Sequence, residues 1–225
     1  KKKRTQASRD LEKMWIKEAP QWEELPVKTT EDLQDLLRLK FLRCNYRAFL
    51  WNPIVKKNEN NLPAILRMSR EAFELIRKGK VKQAITVLSG KQFVNAGPVL
   101  ATVILSYVAP DKVVFCHDHV IDIALGCVEH DYDLNICMTA INTVQSLCDL
   151  LNTIRGDTFW NMEMCGKAIY VMGMVHGEVG KSIAGLPPSG ISSLLDETRA
   201  MMLADKEKKD NANVSTSGRK RKAPG

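Results

Sequence analysis

At 225 residues the chain is long enough to bury one sizeable core, whereas two domains would each have to be small. Its 44% apolar and 26% charged residues are the balance of an ordinary globular protein, which excludes a fibrous or low-complexity chain. No run of roughly eighteen apolar residues offers a membrane span. The formal charge is +7, but Lys1, Lys2, Lys3 and Arg4 with Arg219, Lys220, Arg221 and Lys222 contribute +8, so the rest of the chain sums to −1.

The elements follow in chain order. Residues 1–7 are basic and then polar, with no apolar stretch of a signal peptide, and read as a disordered terminus. The chain does not begin with Met, so its start is expected to be trimmed or incomplete. Ser8, ahead of Asp10 and Glu12, caps a short helix that ends near Pro20. After a loop carrying Trp22, Thr30 is expected to cap a helix with Glu31 and Asp32 in its first turn and Leu33, Leu36, Leu37 and Phe41 along one face. Cations Arg38, Lys40, Arg43 and Arg47 continue it into an aromatic turn that Pro53 ends, and residues 56–61 read as a polar loop.

Helical periodicity returns through Ile65, Met68, Phe73 and Ile76 and stops near Gly79. A short helix over 81–88 precedes Gly90. Residues 98–108 open with Pro98 and are apolar throughout, which predicts a buried, central helix. A turn at 109–112 and an extended piece at 113–115 lead to a helix beginning at His117 or Asp118. Leu134, Cys137, Ile141, Val144, Leu147, Cys148 and Leu151 recur at helical spacing, with Asp133 as the N-cap. Another helix is expected over 158–176 with Trp160, Met164, Ala168, Ile169 and Met172 inward, and a last one over 188–202. Residues 205–225 are charged and then rich in Ser, Asn and Gly, with almost nothing to bury. The expected fold is therefore all-α: one helical domain over 8–204, flanked by disordered basic tails at 1–7 and 205–225. Six cysteines sit singly, several of them at apolar positions of helical patterns, and read as buried free thiols of a reducing compartment.

Charge is segregated within the domain. Residues 38–91 hold thirteen Lys or Arg against three Glu, while 115–165 hold one Arg against eight Asp or Glu. Such a stretch is either a solvated face or a surface that meets phosphates. The segment 85–101 (ITVLSGKQFVNAGPVLA) has an apolar helix end, a turn at Asn95, Ala96 and Gly97, then Pro98 and an apolar helix. That layout reads either as a helix-hairpin-helix, whose turn N–H groups and following helix N-terminus hold a phosphate, or as an ordinary helical corner. Asn95 stands where the hairpin pattern has its first Gly, and Asn is the side chain that best tolerates positive φ. Lys91 adds a cation. Downstream, Cys116, His117, Asp118, His119 and Val120 lead into a helix. Asp118 reads either as a carboxylate beside a reacting sugar or as a helix cap. The spacing of Cys116, His117, His119 and His130 is not that of a standard zinc site.

The order hairpin, apolar helix, extended piece and His119-Val120 is similar to the core of helix-hairpin-helix DNA glycosylases, in which a catalytic Asp lies in a segment like Val-Asp-Thr-His-Val. The chain also resembles, over roughly residues 30–175, a poorly characterised group of eukaryotic proteins with a similar helical core. That resemblance runs through residues 40–47 (KFLRCNYR), the hairpin at 95–101, Phe115 to Asp118, and 162–170. Three departures from the glycosylases stand out. Register on His119-Val120 places the catalytic Asp at His117, one residue before Asp118; the position of a lyase Lys is Val99; and the Cys-x-x-Cys iron-sulfur set is absent. The resemblance implies a non-catalytic nucleic-acid-binding protein that holds backbone through Lys91, Asn95, Ala96, Gly97, Arg43 and Arg47, with Asp118 the candidate catalytic residue if it is an enzyme, no lyase chemistry, and no metal or other cofactor. Nuclear import through Arg219, Lys220, Arg221 and Lys222 fits that expectation. The alternatives are a helical adaptor for a protein partner and a monofunctional base-excision glycosylase.

Overall fold

The structure is a computed structural model and describes residues 6–42, 54–125 and 132–179. The basic tails, Arg43, Arg47, Trp51, His130 and the helix expected at 188–202 lie outside the described residues. Eight α-helices are described: α1 Gln6–Glu18, α2 Thr30–Phe41, α3 Leu62–Arg77, α4 Val81–Leu88, α5 Pro98–Val108, α6 Asp118–Leu125, α7 Leu134–Arg155 and α8 Met162–Val179. They form one compact domain, with no strand among the described residues. No helix among them is long and apolar enough to cross a membrane.

The apolar run at 98–108 makes α5 the hub. Nine of its eleven residues are buried, and it touches α2, α3, α4 and α7 as well as the short 3-10 turn Ala19–Gln21 after α1. Thr102 is its one buried polar side chain; it donates to the Val99 carbonyl (2.8 Å) and accepts from the Cys116 N–H (3.2 Å), so the segment before α6 is tied to α5. Trp15, the buried residue of α1, meets Trp22 and Tyr107 edge-on at 4.7 and 5.6 Å. The loop between α1 and α2 lies over α3. There Ser69 Oγ accepts from the Leu25 N–H (2.9 Å) and Arg77 donates to the Trp22 carbonyl.

Helix α1 begins at Gln6, so Ser8 lies within its first turn instead of capping it, and residues 6–7 are helical. Three further boundaries differ from the sequence expectation, each for a local reason. The cap of α2 is Thr29, not Thr30: Asp32 stands three residues on and accepts from the Thr29 N–H (2.9 Å) while Thr29 Oγ1 accepts from the Asp32 N–H (3.3 Å). Residues 56–61 are not a loop but a helical turn and a 3-10 turn, Glu59–Asn61, because Ile54, Val55 and Asn58 are buried there. Helix α8 begins at Met162, because Asn161 caps it by accepting from the Met164 N–H (2.9 Å), while Asn152 brackets Trp160 by accepting from its N–H (2.7 Å) and donating to its carbonyl (2.8 Å).

The inward face of α8 is also rotated from the expected one. Met162, Cys165, Gly166, Ile169 and Gly173 are buried, whereas Met172 is exposed and Trp160, Met164 and Ala168 are half-buried. Two glycines let this face come close to the segment before α6 and to the first turn of α6. A Cβ on Gly166 would stand 2.4 Å from Val114 Cγ2, and one on Gly173 would stand 2.5 Å from His119 Cγ.

Candidate nucleic-acid interface

The corner between α4 and α5 is a run of tight turns. Gly90 N–H donates to the Val87 carbonyl, Phe93 N–H to the Gly90 carbonyl and Ala96 N–H to the Phe93 carbonyl, each at 3.0 Å. Phe93 and Ala96 are buried and anchor the corner, which leaves Lys91, Gln92, Asn95 and Gly97 exposed between and beside them. Asn95 has φ 60°, the only non-glycine residue with positive φ among those described. Its short amide side chain is what makes the left-handed conformation accessible without a glycine. Gly97 is the N-cap of α5, with φ −86° and ψ 178°, and Pro98 opens the helix. The Gly97 carbonyl accepts from the Leu100 and Ala101 N–H groups at 3.0 and 3.2 Å, so the helix is wound from its first turn.

Beneath the corner sits a residue that sequence reasoning missed. Asn58 is fully buried; its amide nitrogen donates to the Val94 and Ile54 carbonyls (2.8 and 2.7 Å), and its amide oxygen accepts from the Val94 N–H (2.8 Å). This bracket does for Val94 what a neighbouring strand would do, and it fixes the turn from below. It also brings the chain at 54–58 against the corner, with Lys56 and Lys57 exposed next to Asn58. The cations at this end therefore come from two stretches of sequence, Lys91 from one and Lys56 and Lys57 from the other. Nothing in residues 56–61 signalled it, since a polar residue in a polar tract carries no mark of burial.

Of the residues expected to bind, Lys91, Asn95 and Gly97 are together on the exposed side of the corner. Ala96 faces the core and its N–H is already engaged by Phe93. A Cβ built on Gly97 would meet nothing within 4 Å, and its backbone conformation is one any residue adopts. The missing side chain at Gly97 thus serves no contact inside the described chain.

Asp118 is the first residue of α6, and His117 precedes it at the cap position. The His117 carbonyl accepts from the Val120 and Ile121 N–H groups (2.9 and 3.1 Å), and its buried ring meets Phe115 and Tyr170 edge-on at 5.3 and 5.1 Å. Asp118 is half-buried and its carboxylate accepts from the Tyr132 hydroxyl at 2.8 Å. A cavity of about 20 Å³ lies beside this segment, lined by Tyr107, Val113, Phe115, His117, Glu163 and Gly166 among others; Asp118 is not part of its wall. That volume takes one water and is far below a nucleobase. Cys116 Sγ is directed at the Val114 and Cys137 carbonyls, both at 3.6 Å. Among the described residues no three His, Cys, Asp or Glu side chains are grouped to hold a metal ion.

No family model, curated protein or solved structure matches this chain. Thr102, which holds Cys116, stands four residues into α5, about 6 Å of helix rise from Pro98. The segment leading to Asp118 is thus attached near the middle of α5, away from the corner.

Proposed function

We propose that this chain is a non-catalytic nucleic-acid-binding module, similar in layout to the core of helix-hairpin-helix DNA glycosylases, that grips backbone phosphate at the α4–α5 corner. The observation that carries the reading is the open, conformationally unnecessary Gly97 at the N-terminus of an eleven-residue helix, beside Asn95 at positive φ. A glycine with no internal purpose at a helix start leaves room for a phosphate to approach the backbone N–H groups, where the helix dipole favours negative charge. Lys91, Lys56 and Lys57 supply cations around it, and Arg43 and Arg47 belong to the same basic stretch of sequence. Contacts of this kind read charge and spacing rather than bases, so binding is weakly sequence-selective. The basic cluster Arg219 to Lys222 fits delivery to the nucleus.

Fluorescence anisotropy with a labelled DNA duplex, titrated at several salt concentrations, tests this. Lys91→Glu and Gly97→Trp should each weaken binding by about tenfold, and loss of the Lys91 contact should lower the slope of log K against log salt by about one. The proposal fails if both variants bind as tightly as the parent. A second reading, an adaptor for a protein partner, is favoured by the exposed apolar side chains Ile154 (68%) and Phe159 (49%) at the turn between α7 and α8. Capture of a partner that survives nuclease treatment and is lost with Phe159→Glu would support it.

A further inference from the structure

The described cysteines, Cys116, Cys137, Cys148 and Cys165, are all buried, and two of them meet. Cys148 of α7 and Cys165 of α8 have their sulfur atoms 2.8 Å apart. That is wider than the ~2.0 Å of a disulfide bond but closer than unbonded sulfur atoms ordinarily approach. The helices that carry them are not free to separate. Asn152 brackets Trp160 in the connection between them, and the Glu163 N–H donates to the Pro110 carbonyl at 3.1 Å, which pins the start of α8 to the rest of the domain. Neither sulfur takes part in the α4–α5 corner.

We propose that Cys148 and Cys165 are a built disulfide-forming pair that closes under hydrogen peroxide and is reopened by a dithiol reductant. The two thiols are not equivalent. The Cys148 S–H hydrogen bond to Cys165 raises the Cys148 pKa, with burial adding to the rise, and the same bond lowers that of Cys165. Cys165 is therefore the sulfur that reacts first. Its thiolate attacks one peroxide oxygen and the O–O bond breaks, giving a sulfenic acid and hydroxide, which takes up the proton that Cys165 released and leaves as water. The Cys148 sulfur then attacks the Cys165 sulfur and loses its own proton, the S–O bond breaks, and a second water leaves. Two thiols are oxidised to one disulfide, and one peroxide is reduced to two waters. Burial to 2% and 1% exposure selects an oxidant of this size over a bulky disulfide such as oxidised glutathione. The link closes residues 149–164 into a loop, which by loop-closure entropy favours the folded state on the order of a hundredfold.

The reduced full-length chain, folded in native buffer, is exposed to increasing hydrogen peroxide, alkylated, digested without reductant and mapped by mass spectrometry. A single crosslink joining the peptides of Cys148 and Cys165 is expected, with loss of two titratable thiols, recovery by dithiothreitol, and a raised unfolding midpoint. Cys137→Ser should still form the link, and Cys165→Ser should not. Because a serine at a buried pair can impair folding, the parent chain unfolded in urea is the independent control. It should give mixed pairings in place of the single link. The proposal is overturned if the folded chain keeps both thiols reduced at peroxide levels that oxidise the unfolded chain. It is equally overturned if the two residues reach sulfinic acid separately, or if either pairs chiefly with another cysteine.

Discussion

Replacing Asn58 with Ala removes the bracket under the α4–α5 corner, and the cost can be worked out from its bonds. Three hydrogen bonds disappear: to the Val94 carbonyl, to the Ile54 carbonyl and from the Val94 N–H. The Val94 N–H and carbonyl then lose this partner, at about 1–3 kcal/mol for each fully buried group. Val94 is half-buried, so water replaces part of the loss, and a total of about 2–4 kcal/mol is expected. Urea unfolding followed by circular dichroism measures it. The matched control is Asn152→Ala, which removes the same kind of two-bond bracket from Trp160 at the far corner. Both variants should lose stability, but at temperatures where both stay folded only Asn58→Ala should lose affinity for duplex DNA. A stability loss below about 0.5 kcal/mol for Asn58→Ala would refute the bracket. Equal losses of affinity in the two variants would refute its link to the interface.

Gly173→Ala should destabilise by about 1–3 kcal/mol in thermal unfolding, since the new Cβ falls 2.5 Å from His119 Cγ, even though Ala is the better helix former. Gly97→Ala, with open space around its Cβ but at the N-cap of α5 where Ala is disfavoured, should cost no more than about 1 kcal/mol. Stability should also depend on pH through the α2 capping box. Burial raises the Asp32 pKa, but the hydrogen bonds from the Lys28 and Thr29 N–H groups and from the Thr29 side chain outweigh it and hold it below the ordinary 3.8. With the folded-state pKa depressed, the contribution of Asp32 is present above the unfolded-state pKa and is lost as pH falls through the folded one. Asp32→Asn should therefore cost about 1 kcal/mol near pH 6, and the gap to the parent should close below about pH 4.

How far the fold was legible depended on how local its causes were. Helices α4 and α5 read to the residue because Gly79, Gly90, Gly97 and Pro98 punctuate apolar segments, and the Asp133 cap of α7 needed only its own neighbours. Thr30 was expected to cap α2, but the cap is Thr29, because the residue three positions on is Asp32 for Thr29 and Leu33 for Thr30. The inward face of α8 was misjudged because Met and Trp outweigh glycine in any apolar pattern, although here the glycines make the closest approach. Asn95 is the opposite case, a positive φ readable from one side chain in a Gly-Pro turn. Asn58 and the meeting of Cys148 with Cys165 were not legible. Each depends on a partner in another element, 36 and 17 residues away.

The charge distribution constrains how the corner can work. Outside the two basic tails the chain sums to −1, so the folded part offers a polyanion no net attraction at long range. Attraction has to arise within a Debye length, about 8–10 Å at physiological salt, where Lys91, Lys56, Lys57 and the N-terminus of α5 act together. Exposed Asp133 and Asp149 on α7 add negative charge outside the basic stretch, while Asp157 beside it is paired with Arg155 at 3.0 Å. A glycine left open at the start of α5 adds to the short-range attraction, because contacts to backbone N–H groups do not depend on the chain's net charge.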